Sequence, residues 1–158
     1  MPKRVILIRH GQSEGNVNEE IYATKPDPDL LLTDRGWRQA RLVGEALRGG
    51  CGPEFTGIPL GSETVHFIVS PYARTVETFH GILNAFVPSS NYSHISPQSA
   101  RLSAWYAELR RLGVTWHEDP RIREQVSAGC CERYSGGALG TTSRVVTPLT
   151  LTSVLLHV

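Results

Sequence analysis

The sequence has 158 residues, of which 40% are hydrophobic and 20% charged, and its formal net charge is +1. This composition is typical of a globular protein with a substantial core, and the near-neutral charge gives no general attraction to nucleic acid or anionic membranes. Neither a secretory signal nor an apolar run of about 18 residues is present, so we expect a cytoplasmic protein without nucleic-acid or membrane partners.

The first 50 residues predict one strand, one loop and one helix. Residues 5–8, VILI, are apolar without alternation, which is typical of a strand buried on both faces. Residues 17–32 contain two prolines and predict a loop. Thr33 is a favourable N-cap for an amphipathic helix, which the glycine pair at 49–50 ends.

The next segment repeats this order. Residues 65–69, VHFIV, predict a second strand, and Ser70 with Pro71 is a typical beginning of a second helix. A third amphipathic stripe over 102–112 leads to a short strand at 114–116. Strands that alternate with helices predict an α/β fold, in which a parallel sheet lies between helices on both faces.

The composition changes after residue 125. Residues 126–158 contain only three charged side chains, and 13 of the 33 positions are Ser, Thr or Gly. We therefore expect residues 1–125 to form the N-terminal part of one domain, which is incomplete at its C-terminus, and residues 126–158 to form a mostly irregular, atypical tail. Codons for Gln-Val-Ser at 125–127 can match a splice donor, so we hypothesise that the tail is a retained intron or a gene-model error.

The cysteines give no sign of a metal site or a disulfide framework. Their number is odd, and Cys130 and Cys131 are adjacent, which is not a metal-ligand spacing. We expect all three, the third being Cys51, to be free thiols in a reducing compartment.

The ends of the first two strands carry the residues with the clearest chemistry. Ligands of open parallel sheets bind at the carboxyl ends of the strands, and right-handed crossovers bring both ends to one edge. Arg9 and Arg74 would then present two guanidiniums that can grip a phosphoryl group. His10 lies between them as a competent nucleophile, and the small polar residues Ser13 and Asn16 complete a phosphate cradle.

Three ordered motifs, LIRHGQSEGN, LLTDRGWRQA and VSPYARTVET, resemble those of the histidine phosphatase superfamily, also called phosphoglycerate-mutase-like. The resemblance covers residues 4–125 and implies a small phosphorylated substrate with no metal or organic cofactor. It implies that His10 accepts the phosphoryl group and that Glu124, in DPRIREQ, protonates the leaving oxygen. It assigns phosphate binding to Arg9, Asn16 and Arg74.

Two departures from the family pattern shape the functional expectation. The stretch VNEEIYATKPDPDLLLT after Asn16 differs from the glycolytic mutases and favours a broader phosphatase. The family also places a second catalytic histidine late in the chain, whereas His157 is the only histidine after Glu124 and no glycine follows it. We therefore expect phosphomonoester hydrolysis through a phosphohistidine, impaired or lost in this chain. The alternatives are an inactive truncated product or phosphate-binding pseudoenzyme, and a phosphoglycerate mutase; the oligomeric state stays open.

Each candidate also has an ordinary structural interpretation. An isolated Arg-His-Gly is more often a plain strand end, Arg74 can be a surface residue, and Glu124 can be a solvated charge. The remaining histidines show no partner pattern and are interpreted as packed or surface residues: His66, His80, His94 and His117.

Overall fold

The computed structural model describes residues 5–49, 57–58 and 63–122, together with the backbone of Ser153–His157. The helices are α1 (Glu14–Val17), α2 (Asp34–Gly49), α3 (Ala73–Phe86) and α4 (Gln98–Arg111). The strands are β1 (Val5–Arg9), β2 (Val65–Val69), β3 (Val114–Glu118) and β4 (Ser153–His157). Short 3-10 turns cover Glu19–Ala23, Asp27–Asp29, Ser89–Tyr92 and Pro120–Ile122. Over these described ranges, no helix has the length and apolar character needed to cross a membrane.

The four strands form one sheet in the order β1-β4-β2-β3. Strand β2 pairs with β3 in parallel, and β4 pairs with both β1 and β2 in antiparallel orientation. Strands β1, β2 and β3 therefore run in the same direction, which confirms the predicted α/β fold. The carboxyl ends of β1 and β2 lie at the same edge of the sheet, and this edge carries the candidate site.

Strand β4 is the part of the tail that the structure describes. It lies between β1 and β2, with Ser153 opposite Arg9 at the site edge. His157 pairs with Val5 and with His66, at the opposite edge. Residues 123–152 lie outside the described residues, so the boundary at residue 125 and the irregularity of most of the tail stay predictions.

The core forms where β2 packs against α3 and α4. Alternate residues of β2 are buried, with Phe67 at its centre, because successive side chains of a strand point to opposite faces. The predicted apolar stripe of α3 contributes Phe79 and Leu83, and α4 contributes Trp105. The Trp105 indole donates a hydrogen bond to the Val87 carbonyl at 2.7 Å, so this polar group is satisfied inside the core.

The prediction that residues 5–8 are buried on both faces is wrong. Ile8 is 7% exposed and belongs to the core, whereas Val5 is 59% exposed and Leu7 is 52% exposed. Strand alternation explains the difference, because Ile6 and Ile8 share the face that packs on the core and Val5 and Leu7 share the other.

The expected beginning of α3 is also wrong by two residues. The N-cap is Tyr72 rather than Ser70, and the first helical residue is Ala73. Ser70 is fully buried, and its hydroxyl has no hydrogen-bond partner among the residues that the structure describes. The amide of Thr75 bonds to the Tyr72 carbonyl at 2.8 Å, which closes the first turn without a side-chain cap.

Candidate active site

His10 follows the last residue of β1, and its ring is held by the backbone carbonyl of the next residue, Gly11. His10 is 9% exposed, and its Nδ1 lies 2.6 Å from the Gly11 carbonyl oxygen. Because a carbonyl oxygen only accepts, Nδ1 carries the proton, and the lone pair of the neutral ring is on Nε2. This arrangement of the two nitrogens is the one that a nucleophilic histidine requires.

The turn after His10 is attached to α3 next to Arg74. The Gly11 amide donates to the Thr78 hydroxyl at 3.0 Å, and this hydroxyl donates to the Arg74 carbonyl at 2.7 Å. Thr78 is 1% exposed, so both bonds lie in a protected environment. The chain therefore links the two predicted phosphate-binding segments through one buried threonine.

Ser13 and Asn16 form a small hydrogen-bonded unit beyond this turn. The amide and hydroxyl of Ser13 both donate to Asn16 Oδ1, at 2.9 and 3.1 Å. Ser13 is 1% exposed, whereas Asn16 is exposed. The Asn16 carbonyl oxygen thus faces Ser13, which turns its amide NH2 away, so Ser13 orients Asn16.

The helix α2 supports the same turn, and this role was not predicted from the sequence. Thr33 accepts from the Gly36 amide at 3.1 Å as the predicted N-cap, and it also donates from its hydroxyl to Gln12 Oε1 at 3.0 Å. Gln39 accepts from the Gln12 amide at 2.8 Å. A side chain at Gly36 would collide with the Gln12 carbonyl oxygen. The i, i+3, i+6 spacing of these residues in TDRGWRQ was the available signal.

Arg74 is a buried cation that is bound to a carboxylate. Its side chain is 3% exposed, and its Nη1 donates to the carbonyl and the Oδ1 of Asp27 at 2.7 and 2.9 Å. Nη2 donates to Asp27 Oδ2 at 3.3 Å. The guanidinium carbon also lies 4.8 Å from the centre of the Tyr72 ring. A cation in the first turn of a helix opposes the helix dipole, and here the Asp27 carboxylate offsets that cost.

Arg9 and His10 open onto a cleft of about 370 Å³ beside α2. Arg9 is exposed, so its guanidinium can reach a ligand from solvent. The cleft is lined by Arg9, His10, Gly11, Gln39, Ala40, Leu42, Val43 and Thr78. The lining does not include Ser13, Asn16 or Arg74. Arg9 and His10 thus share the cleft, and Arg74 is connected to it through the hydrogen bonds of Thr78.

Two sequence candidates do not enter this geometry. Glu124 lies outside the described residues, as do the three cysteines. The backbone of His157 is opposite Val5, four positions from the end of β1. At about 3.3 Å per strand residue, the backbone of His157 is about 13 Å along the strand from the site edge.

Comparison with known protein families gives a match to the first part of the chain. The family model of the histidine phosphatase superfamily, branch 1, matches residues 5–92, which include every predicted site residue except Glu124. A phosphoglycerate mutase-like protein of Arabidopsis thaliana is 41% identical, over 79% of this chain and 37% of that protein. No solved structure shows a significant match.

Two further relatives carry names with different activities. The 2,3-bisphosphoglycerate-dependent phosphoglycerate mutase of Rhizobium etli is 35% identical, over 51% of this chain and 32% of that protein. The broad-range acid phosphatase of Saccharomyces cerevisiae is 30% identical, over 52% of this chain and 33% of that protein. The chain thus spans about a third of the length of the curated relatives it matches.

Proposed function

The chain belongs to the histidine phosphatase superfamily, and from this premise we propose that it hydrolyses small phosphomonoesters through a phosphohistidine at His10. The observation that carries the proposal is the 2.6 Å contact between His10 Nδ1 and the Gly11 carbonyl, which leaves the lone pair on Nε2. A rigid strand presents this nitrogen at the edge of the sheet, where ligands of such sheets bind.

The reaction has two displacement steps at phosphorus. His10 Nε2 attacks the phosphorus atom, the bond to the ester oxygen breaks, and the departing oxygen takes a proton, in our proposal from Glu124. Water then attacks the phosphohistidine and gives one proton to the Glu124 carboxylate, the P–N bond breaks, and inorganic phosphate leaves with His10 and Glu124 restored. Arg9, Arg74 and the Asn16 amide would bind the phosphoryl oxygens and stabilise the charge that develops on them.

Hydrolysis is favoured over mutase chemistry by the segment that follows Asn16. In the structure this segment forms two 3-10 turns, Glu19–Ala23 and Asp27–Asp29, and the second one places a carboxylate on Arg74. A carboxylate there opposes the binding of a substrate that carries a second anionic group, such as phosphoglycerate. We therefore propose that substrates with an uncharged leaving group are preferred.

We also propose that this 158-residue chain turns over slowly. His157 is the only histidine after Glu124, and it lies at the opposite edge of the sheet from His10. The group concerned is the second catalytic histidine of the family pattern. Loss of one group that stabilises transition-state charge typically lowers kcat by about 100- to 1000-fold. A chain that binds phosphate without turnover remains the second candidate, favoured by this position of His157.

The test compares an aryl phosphate with 3-phosphoglycerate as substrates of the purified chain. We expect slow release of inorganic phosphate from the aryl phosphate, abolished by His10→Ala and retained by His94→Ala, which removes an exposed histidine. Activity that survives His10→Ala would show that His10 is not the nucleophile. Conversion of 3-phosphoglycerate without release of phosphate would favour a mutase, and phosphate binding without turnover would favour the second candidate.

A further inference from the structure

The ion pair between Arg74 and Asp27 has more hydrogen bonds and is more buried than an ordinary surface ion pair. Three oxygens of Asp27 accept hydrogen bonds from the Arg74 guanidinium, at 2.7 to 3.3 Å. They are the two carboxylate oxygens and the backbone carbonyl oxygen. The Arg74 side chain is 3% exposed, so water screens this attraction very little. The Nη1–Nη2 edge of Arg74, which can grip two phosphoryl oxygens, is therefore engaged by a carboxylate.

The chain holds the Asp27 backbone firmly in this place. The turn Asp27–Asp29 lies between two anchors, since Glu14 accepts from the Lys25 ammonium and Glu77 accepts from the Leu32 amide at 2.6 Å. The carboxylate itself is different, because the Asp27 side chain is 23% exposed. A rotation about its χ1 can carry the carboxylate to solvent while the backbone stays fixed.

We propose that Asp27 is an internal competitor for the phosphoryl group at Arg74. This inference rests on the proposed phosphate-binding role of Arg74. A carboxylate and a phosphoryl dianion repel each other, and one guanidinium edge accommodates one bidentate anion. The phosphoryl group therefore binds to this edge only when Asp27 turns away, and Asp27 lowers the affinity of the site for phosphate. Without a ligand, the same carboxylate supplies the counter-charge that a buried guanidinium requires.

The test measures binding of inorganic phosphate to the full chain by titration calorimetry. Asp27→Asn keeps the shape of the side chain but removes its charge, and its NH2 group cannot accept from Arg74. We expect this variant to bind phosphate about tenfold more tightly, which corresponds to about 1.4 kcal/mol. Asp29→Asn is the matched control, because it changes an exposed carboxylate of the same turn, and we expect its affinity to stay within about twofold of the parent, the range of a screened surface charge.

A purely structural role of Asp27 cannot produce tighter binding. Unchanged or weaker phosphate binding by Asp27→Asn would overturn the inference. If that variant fails to fold, the parent chain can be titrated with phosphate while the Asp27 carboxyl carbon is observed by NMR. We expect the chemical shift of this carbon to change as phosphate is added, along a curve with the same dissociation constant as phosphate binding. A chemical shift that stays constant up to saturation would also overturn the inference.

Arg74→Ala separates this inference from the proposed function. If Arg74→Ala leaves phosphate binding unchanged, Arg74 does not bind phosphate and the proposed site is wrong. If Arg74→Ala weakens phosphate binding but Asp27→Asn does not tighten it, only the competition is wrong. We expect the effect of Asp27→Asn to disappear in the Arg74→Ala background.

Discussion

The threonine pair on α3 provides a sharp test of how the His10 turn is held. Thr75 is fully buried and Thr78 is 1% exposed, yet their hydroxyls differ in their hydrogen bonding. The Thr78 hydroxyl accepts from the Gly11 amide and donates to the Arg74 carbonyl. Within the described residues, the Thr75 hydroxyl has no hydrogen-bond partner. Replacement by valine, which has nearly the same shape, should therefore change stability in opposite directions.

The expected magnitudes follow from the hydrogen bonds that each change removes. Thr78→Val leaves the Gly11 amide without an acceptor, which costs about 1–3 kcal/mol for a buried donor. Thr75→Val removes an unpaired hydroxyl and should stabilise the fold by about 1 kcal/mol, the low end of the cost of burying such a group. For a chain of this size about 1 kcal/mol corresponds to about 2–4 °C in Tm, so a difference of about 2–4 kcal/mol between the two variants should separate their melting temperatures by about 4–16 °C.

Thermal unfolding of both variants beside the parent chain, followed by circular dichroism, measures this difference. The Thr78→Val variant should also lose most aryl phosphatase activity, since its Gly11 turn no longer holds His10. Equal melting temperatures for the two variants would show that the Thr78 hydroxyl does not hold the Gly11 turn. So would a destabilised Thr75→Val variant beside an unaffected Thr78→Val variant.

Three further substitutions probe α2 and the core. Gly36→Ala should lower the free energy of unfolding by about 1–3 kcal/mol, because the added Cβ collides with the Gln12 carbonyl oxygen. The added Cβ of Gly49→Ala meets no atom within 4 Å, so this variant should raise the free energy of unfolding by about 0.4–1 kcal/mol. Urea unfolding measures both changes. Burial lowers the pKa of His80 below its ordinary value, so the unfolded chain takes up a proton first as the pH falls through about 6.5. Unfolding free energy should therefore decrease from pH 7 toward pH 5, with a smaller decrease in His80→Asn; equal slopes for the two proteins would contradict this.

The local parts of the fold were predictable because short-range signals determine them. The apolar run at 65–69 predicted β2 within its observed bounds, and Thr33 predicted the beginning of α2 through its capping oxygen. The apolar run at 5–8 predicted β1 but not its half-exposed face. A run without alternation shows that both faces tolerate apolar residues, and burial depends on what packs against each face.

The long-range parts of the site could not be predicted from the sequence. The prolines beside Asp27 indicated a loop, but they carry no signal that Asp27 meets a guanidinium 47 positions later. Thr78 looked like any helical threonine, although it binds the Gly11 amide 67 positions earlier. Such contacts depend on how α3 packs against α2 and the turn Asp27–Asp29, which no local propensity determines.

The position of β4 is the clearest case of this limit. The Ser-, Thr- and Gly-rich composition of residues 126–158 predicted a mostly irregular tail. Strand Ser153–His157 nonetheless pairs with both β1 and β2. A strand inside a sheet gains backbone hydrogen bonds on both sides, and this gain outweighs a weak intrinsic preference.

Trapping the phosphohistidine tests directly whether His10 carries the phosphoryl group. The chain is incubated with an aryl phosphate, quenched at alkaline pH and analysed by intact and peptide mass spectrometry. We expect the added mass of one phosphoryl group on His10, which acid removes and which is absent from His10→Ala. A phosphoryl group on any other residue, or a label that persists in His10→Ala, would show that His10 is not the phosphoryl acceptor.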